Sequence, residues 1–204
     1  MPESPEALYA RVVAQVGAAG RLPSADPTCW EMFPWEVLDG RLVTKVLGEP
    51  EQEKPRRGEA EDKPCGTCAG DEQRPIWEND RWSVTPPPQP TGMPLMLFLQ
   101  SKEHLDFTDM DDDLAAEYGR LSARLCRIMS NLPHIGRVHV CRWGDGGAHL
   151  HVWFIARPWG FAGVIGSMAV EWEGILPPPP EEIWRADLKA VAEKLAQSDG
   201  RALV

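Results

Sequence analysis

The chain has 204 residues, 43% hydrophobic and 25% charged, a composition expected of a soluble globular protein with one domain and an elaborated end. Its formal charge of −10, from 21 basic against 31 acidic residues, argues against a groove that tracks a nucleic-acid backbone, while a local pocket for an anionic small molecule stays open. No apolar run approaches the ~20 residues that span a bilayer, and Met1-Pro2-Glu3-Ser4 is unlike an export signal, so no membrane partner and a cytoplasmic location are expected.

Residues 4–19 predict a short amphipathic helix with Ser4 as N-cap and Leu8, Val12 and Val16 on one face, ended by Pro23 and Pro27. Residues 35–43 predict a hairpin around Asp39-Gly40, and 48–64, dense in charge and proline, a surface loop. Two short strands turn at Asn79-Asp80, Pro86 to Pro90 breaks the chain, and Leu95–Leu99 is a strand buried on both faces. A helix is expected over 109–131, capped by Thr108, with Asp109, Asp111 and Asp112 in its first turn. Residues 136–143 and 149–157 read as strands joined by a turn at Gly144-Asp145-Gly146-Gly147, and a helix is expected over 181–197. Uneven alternation with several hairpins predicts an α+β fold. The nine tryptophans read first as core, and Trp159, Trp172 and Trp184 either line a pocket or cap that core.

Five cysteines without an export signal argue against a disulfide framework. Cys29, Cys126 and Cys141 are scattered, the last two in apolar stretches where packing thiols are expected. Cys65-Gly66-Thr67-Cys68 has metal or redox spacing. No helix is expected to follow it, which disfavours a redox dithiol. A zinc site needs two more ligands, and His104 and His149 supply them at strand ends. Two free thiols are the bland alternative. In an extended strand His149, His151 and Trp153 project to one face, with alternate Cα atoms about 6.6 Å apart. Two rival sets stay open: Cys65, Cys68, His149 and His151 around one zinc, or His104, His149 and His151 around a zinc with an open position. His134 reads as a solvated loop residue and His139 as a core-edge histidine.

The order Cys65-x-x-Cys68, Ile76-Trp77-Glu78-Asn79-Asp80, Gly92-Met93-Pro94-Leu95-Met96-Leu97-Phe98, Ser101-Lys102-Glu103-His104, helix, glycine turn and His149-Leu150-His151-Val152-Trp153-Phe154-Ile155-Ala156-Arg157-Pro158 resembles the histidine-triad (HIT-like) superfamily. In its metal-ligand pattern it is most similar to the galactose-1-phosphate uridylyltransferase branch. The resemblance implies an antiparallel sheet of about five strands with a long packed helix in a core of 65–158, flanked by an N-terminal extension over 1–64 and a C-terminal one over 159–204. It also implies a homodimer, and a nucleotide or nucleotide-sugar-like partner.

On the matching positions it implies that Cys65, Cys68, His104 and His149 hold a structural zinc. His151 becomes the nucleophile that forms a covalent nucleotidyl-histidine, and backbone amides of Asp145, Gly146 and Gly147 cradle phosphate oxygens. The chain departs from the pattern at its third triad position. There the family's His or Gln is Trp153, which donates one N–H and shuttles no proton. Met93 stands where a His is often found, and Arg142-Trp143 where an Asn is usual. His139 on the adjoining strand is the candidate replacement acid. A zinc-stabilised nucleotide hydrolase or nucleotidyltransferase is therefore expected, with a catalytically reduced zinc protein that binds without turnover as the alternative.

Overall fold

The computed structural model describes residues 2–23, 31–70 and 74–204; Pro27 and Cys29, which the sequence analysis singled out, lie outside them. Helix α1 spans Pro5–Gln15 with Ser4 as N-cap, its hydroxyl accepting from the Ala7 amide. It ends four residues earlier than expected, at an extended Val16. Strands β1 (Trp35–Leu38) and β2 (Arg41–Thr44) form the expected hairpin. Asp39 and Gly40 both take positive φ, 51° and 74°, as a primed two-residue turn requires.

The main sheet is antiparallel throughout and has six strands in the order β6-β7-β5-β4-β3-β8. They are β3 (Trp77–Glu78), β4 (Trp82–Thr85), β5 (Leu95–Ser101), β6 (Ile135–Cys141), β7 (His151–Pro158) and β8 (Arg201–Ala202). The fold is thus α+β, with the expected five strands and a sixth, unforeseen one. That strand is added where the chain returns after α4 (Glu181–Ala196) and Leu203 N–H donates to the Ile76 carbonyl.

Alternation along the strands divides the side chains between two faces. Trp82, Val84, Leu95, Leu97, Leu99, Val152, Phe154 and Ala156 face helix α3 (Asp112–Ser130) and α4, forming the main core with Leu121, Leu125, Met129, Leu188 and Val191. Helix α3 starts later than expected, because two acidic caps act in succession. Asp106 caps a 3₁₀ turn at Phe107–Asp109, Met110 is extended, and Asp111 then caps α3 by accepting from the Leu114 amide at 2.7 Å. Thr108 therefore sits inside the turn and caps nothing.

On the opposite face, residues 161–176 fold back over Met93, Met96 and Ile155 with Val164, Ala169 and Leu176. Gly92 permits this close approach: a Cβ there would lie 2.4 Å from the Glu173 carbonyl oxygen. Trp172 packs into this second cluster and Trp184 into the main core, whereas Trp159 is 57% exposed. His134 is buried, contrary to the expectation of a solvated loop residue, because α4 carries Asp187 to 2.9 Å from its Nε2. Cys126 and Cys141 are half-buried. Among the described residues no helix is long and apolar enough to cross a membrane.

Candidate metal centre and adjoining cavity

The returning segment covers only part of the second face. The remainder, with Thr85, Phe98, Gln100, His151 and Trp153, floors an open cavity of about 420 Å³. Its rim is Pro86 to Pro88 on one side and Arg57, Cys65, Gly66, Thr67, Gly147 and His149 on the other.

Cys65 caps a four-residue helical turn, α2 (Gly66–Ala69), so the expectation that no helix follows the motif is corrected. The turn arises because Cys65 Sγ accepts from the Cys68 amide at 3.4 Å and Gly70 closes it with φ 74°. Burial and the neighbouring Cys65 push the Cys68 thiol up, whereas redox dithiols are activated by a lowered thiol pKa.

Cys65, Cys68, His104 and His149 converge, with all four donor atoms within 4.8 Å of one another. His149 Nδ1 lies 3.4 Å from each sulfur, and His104 Nδ1 lies 3.3 Å from Cys68 Sγ. The buried His149 donates from Nε2 to the Ser101 carbonyl at 2.8 Å. A carbonyl only accepts, so the proton is on Nε2 and the Nδ1 lone pair faces the sulfurs. Burial lowers the His149 pKa, aided by His104 and His151 and opposed by the Ser101 bond, so the neutral ligating form is favoured. These four residues can hold a metal ion.

His149 was expected within the strand, but β7 begins only at His151. Leu150 N–H donates to the Leu105 carbonyl and Ala148 N–H to the Arg57 carbonyl, so the amides of this segment bond to loops, while the Leu150 carbonyl still accepts from Ser101 N–H at the end of β5. His151 is not among the converging donors, so neither rival metal set is assembled here. Its Nδ1 lies 2.8 Å from the His149 carbonyl, so Nδ1 carries the proton and Nε2 bears the lone pair. The two histidines thus hold opposite tautomers, His149 with its lone pair toward the sulfurs and His151 with its lone pair on Nε2.

The charged loop before Cys65 is tied to the site more closely than its composition suggested. Arg57 N–H donates to the Gly146 carbonyl, and Arg56 donates to the Gly144 carbonyl at 2.9 Å. Arg56 also pairs with Asp106 at 2.8 Å, and Arg142 pairs with the same carboxylate. Burial alone would raise Asp106, but the Phe107 amide and the two guanidiniums outweigh it and hold its pKa below the ordinary range. Gly58, at φ 90°, lies against the metal ligands: a Cβ there would sit 2.7 Å from His104 Cε1 and 3.3 Å from Cys65 Cβ. Gly58→Ala should therefore weaken metal affinity by about 10- to 100-fold, as outer-shell changes do, measurable by chelator competition.

Of the turn residues expected to cradle phosphate, Gly147 lines the cavity, whereas Asp145 and Gly146 do not. Trp153 forms a wall, edge-to-face with Phe98 at 4.6 Å and with Trp143 at 5.5 Å, its Nε1 buried without a hydrogen-bond partner among the described residues. His139 shares the sheet face of Trp153 but lies opposite Ile155, one pleat further from His151, and does not line the cavity. Sequence reasoning missed Arg57, Thr85 and Gln100. The registers of β4 against β5 and of β5 against β7, with the docking of the loop, bring them to the cavity that His151 lines.

No family model matches the chain, and no curated protein does. Among solved structures it is similar to a histidine triad protein from Marinobacter aquaeolei VT8, at 18% identity over 65% of this chain and 94% of that one, TM-score 0.49. A histidine triad protein from Bradyrhizobium japonicum gives 16%, 62%, 93% and 0.48. A Zn-bound histidine triad family protein from Mycobacterium smegmatis gives 20%, 66%, 97% and 0.46. These are distant likenesses.

Proposed function

We propose that the chain is a zinc-stabilised HIT-like nucleotide hydrolase or nucleotidyltransferase that works through His151. The observation that carries this reading is the His151 Nδ1–H bond to the His149 carbonyl, which leaves Nε2 as a free lone pair in the cavity. Zinc suits the donor set. For tetrahedral zinc with Zn–S about 2.3 Å and Zn–N about 2.05 Å, S···N edges are about 3.6 Å, close to the observed 3.3 and 3.4 Å. The metal's part is structural: it fixes the segment that presents His151.

In the proposed step, His151 Nε2 bonds to the α-phosphorus while the P–O bond to the leaving group breaks and the electron pair departs with that oxygen. Water or a second phosphate then attacks the phosphorus, releasing the histidine. Trp153 supplies no acid, so the leaving group departs as an anion. This favours phosphate or pyrophosphate over an amine or alcohol, since losing a general acid costs about 10²–10⁴-fold where the leaving group needs a proton. A substrate with a diphosphate or longer linkage fits, within a nucleotide or nucleotide-sugar class. The cytoplasm would supply such substrates.

A second reading is supported by Trp153 itself, held edge-to-face between Phe98 and Trp143 where a proton-shuttling side chain would be needed: a zinc protein that binds a nucleotide without turnover. Screening nucleoside di- and triphosphates and nucleotide sugars separates the two. Product formation supports the enzyme, whereas a raised Tm without product supports binding alone. A chain that neither turns over nor is stabilised by any of them contradicts both.

A further inference from the structure

We infer that Arg57 and Gln100 form an anion subsite beside His151 that grips the substrate phosphate in place of the side chain Trp153 has replaced; this rests on reading the cavity as a nucleotide site. Gln100 is the register partner of His151 across β5 and β7, so the two side chains leave the same face of the sheet side by side. Gln100 is 5% exposed and lines the cavity. Thr85 Oγ1 donates to its Oε1 at 2.7 Å, which fixes the carboxamide with its oxygen on Thr85 and its NH₂ toward the cavity. Among the described residues no protein group accepts from that NH₂. Gln100 thus offers a donor that no protein group uses at the cavity floor, and an anionic ligand is a strong acceptor for it.

Arg57 stands at the rim. Its amide and carbonyl are both bonded to the glycine turn, through Gly146 and Ala148, and its Nε reaches the Gly146 carbonyl at 3.4 Å. The backbone is thereby anchored, while among the described residues no carboxylate pairs with the guanidinium. Among the described residues Arg57 is the only Lys or Arg lining the cavity, and no Asp or Glu lines it. In a chain of formal charge −10 this is a local reversal of sign, and it suits a phosphate. Trp153 then serves another purpose. With Phe98 and Pro86 to Pro88 it makes the apolar wall, and the phosphate contact moves to the neighbouring strand.

Calorimetric titration of the metal-loaded chain with the four common nucleoside monophosphates and their matching nucleosides tests the subsite, comparing wild type with Arg57→Met and Gln100→Leu. Each variant should weaken monophosphate binding by about 10- to 100-fold. Nucleoside affinity and metal content should stay unchanged, and the Arg57→Met loss should shrink as salt rises. Monophosphate affinity unchanged in both variants would overturn the subsite while the cavity remains a nucleotide site. Equal losses for nucleosides and monophosphates would also overturn it, since they would mark a structural role. Arg57 is held by its backbone at the rim, so Arg57→Met keeps the test decisive even if Gln100→Leu folds poorly. A wild type that binds none of the monophosphates overturns the subsite, and one that also binds no nucleoside di- or triphosphate or nucleotide sugar defeats the nucleotide reading with it.

Discussion

His149→Ala should strip the metal and lower Tm by about 10 °C. The side chain is 4% exposed, its Nδ1 faces both Cys65 and Cys68, and its Nε2 satisfies the Ser101 carbonyl at the end of β5. Truncation removes one of four donors and orphans a carbonyl where β5 meets the segment before β7. Loss of a metal belongs to the few mechanisms that exceed about 4 kcal/mol, and in a domain of this size each kcal/mol shifts Tm by about 2–4 °C. The main core around Phe154, Leu97 and Leu121 does not touch the metal, so the variant should remain folded at about 25 °C. Elemental analysis and a melting curve check both halves. Full metal content in His149→Ala would contradict the assigned ligand set.

His151→Ala should behave in the opposite way, keeping metal and Tm while turnover falls at least about 10⁴-fold, as when a covalent nucleophile is removed. The contrast follows from the two tautomers. His149 turns Nδ1 to the sulfurs and His151 turns it to the His149 carbonyl, so only one of the two imidazoles is tied to the metal centre. Loss of metal from both variants would mean that His151 is a ligand, and the proposed nucleophile would have to be abandoned. Steady-state rates on whichever nucleotide the screen identifies, beside metal content, decide this.

Much of the site was legible in the residues because metal and nucleophile chemistry restrict residue types. Cys65-x-x-Cys68 and His149-x-His151 announce themselves by spacing, and the hairpin at Asp39-Gly40 and the strand at Leu95–Leu99 follow from local turn and burial rules. What was not legible depends on long-range pairing. Gln100 lies just past the apolar run Leu95–Leu99 and shows no role until β5 is set in register against β7, where it meets His151. Arg57 looks like one charge among many until its loop docks on Gly146 and Ala148. His134 reads as loop because its partner Asp187 is 53 residues away on α4. The start of α3 was misplaced because Asp106 and Asp111 both cap, and local composition cannot tell which of several acids begins the helix. The short β8 has too few residues to show a pattern of its own, and exists because β3 offers it an edge.

The central claim is that His151 Nε2 takes the nucleotidyl group. Intact-mass spectrometry of the metal-loaded chain, acid-labile adducts being preserved by alkaline quench after brief exposure to the substrate, tests it directly. The account predicts a mass gain of one nucleotidyl group in wild type that decays as product forms and is absent from His151→Ala. Turnover with no such gain, or the same gain in His151→Ala, would contradict it.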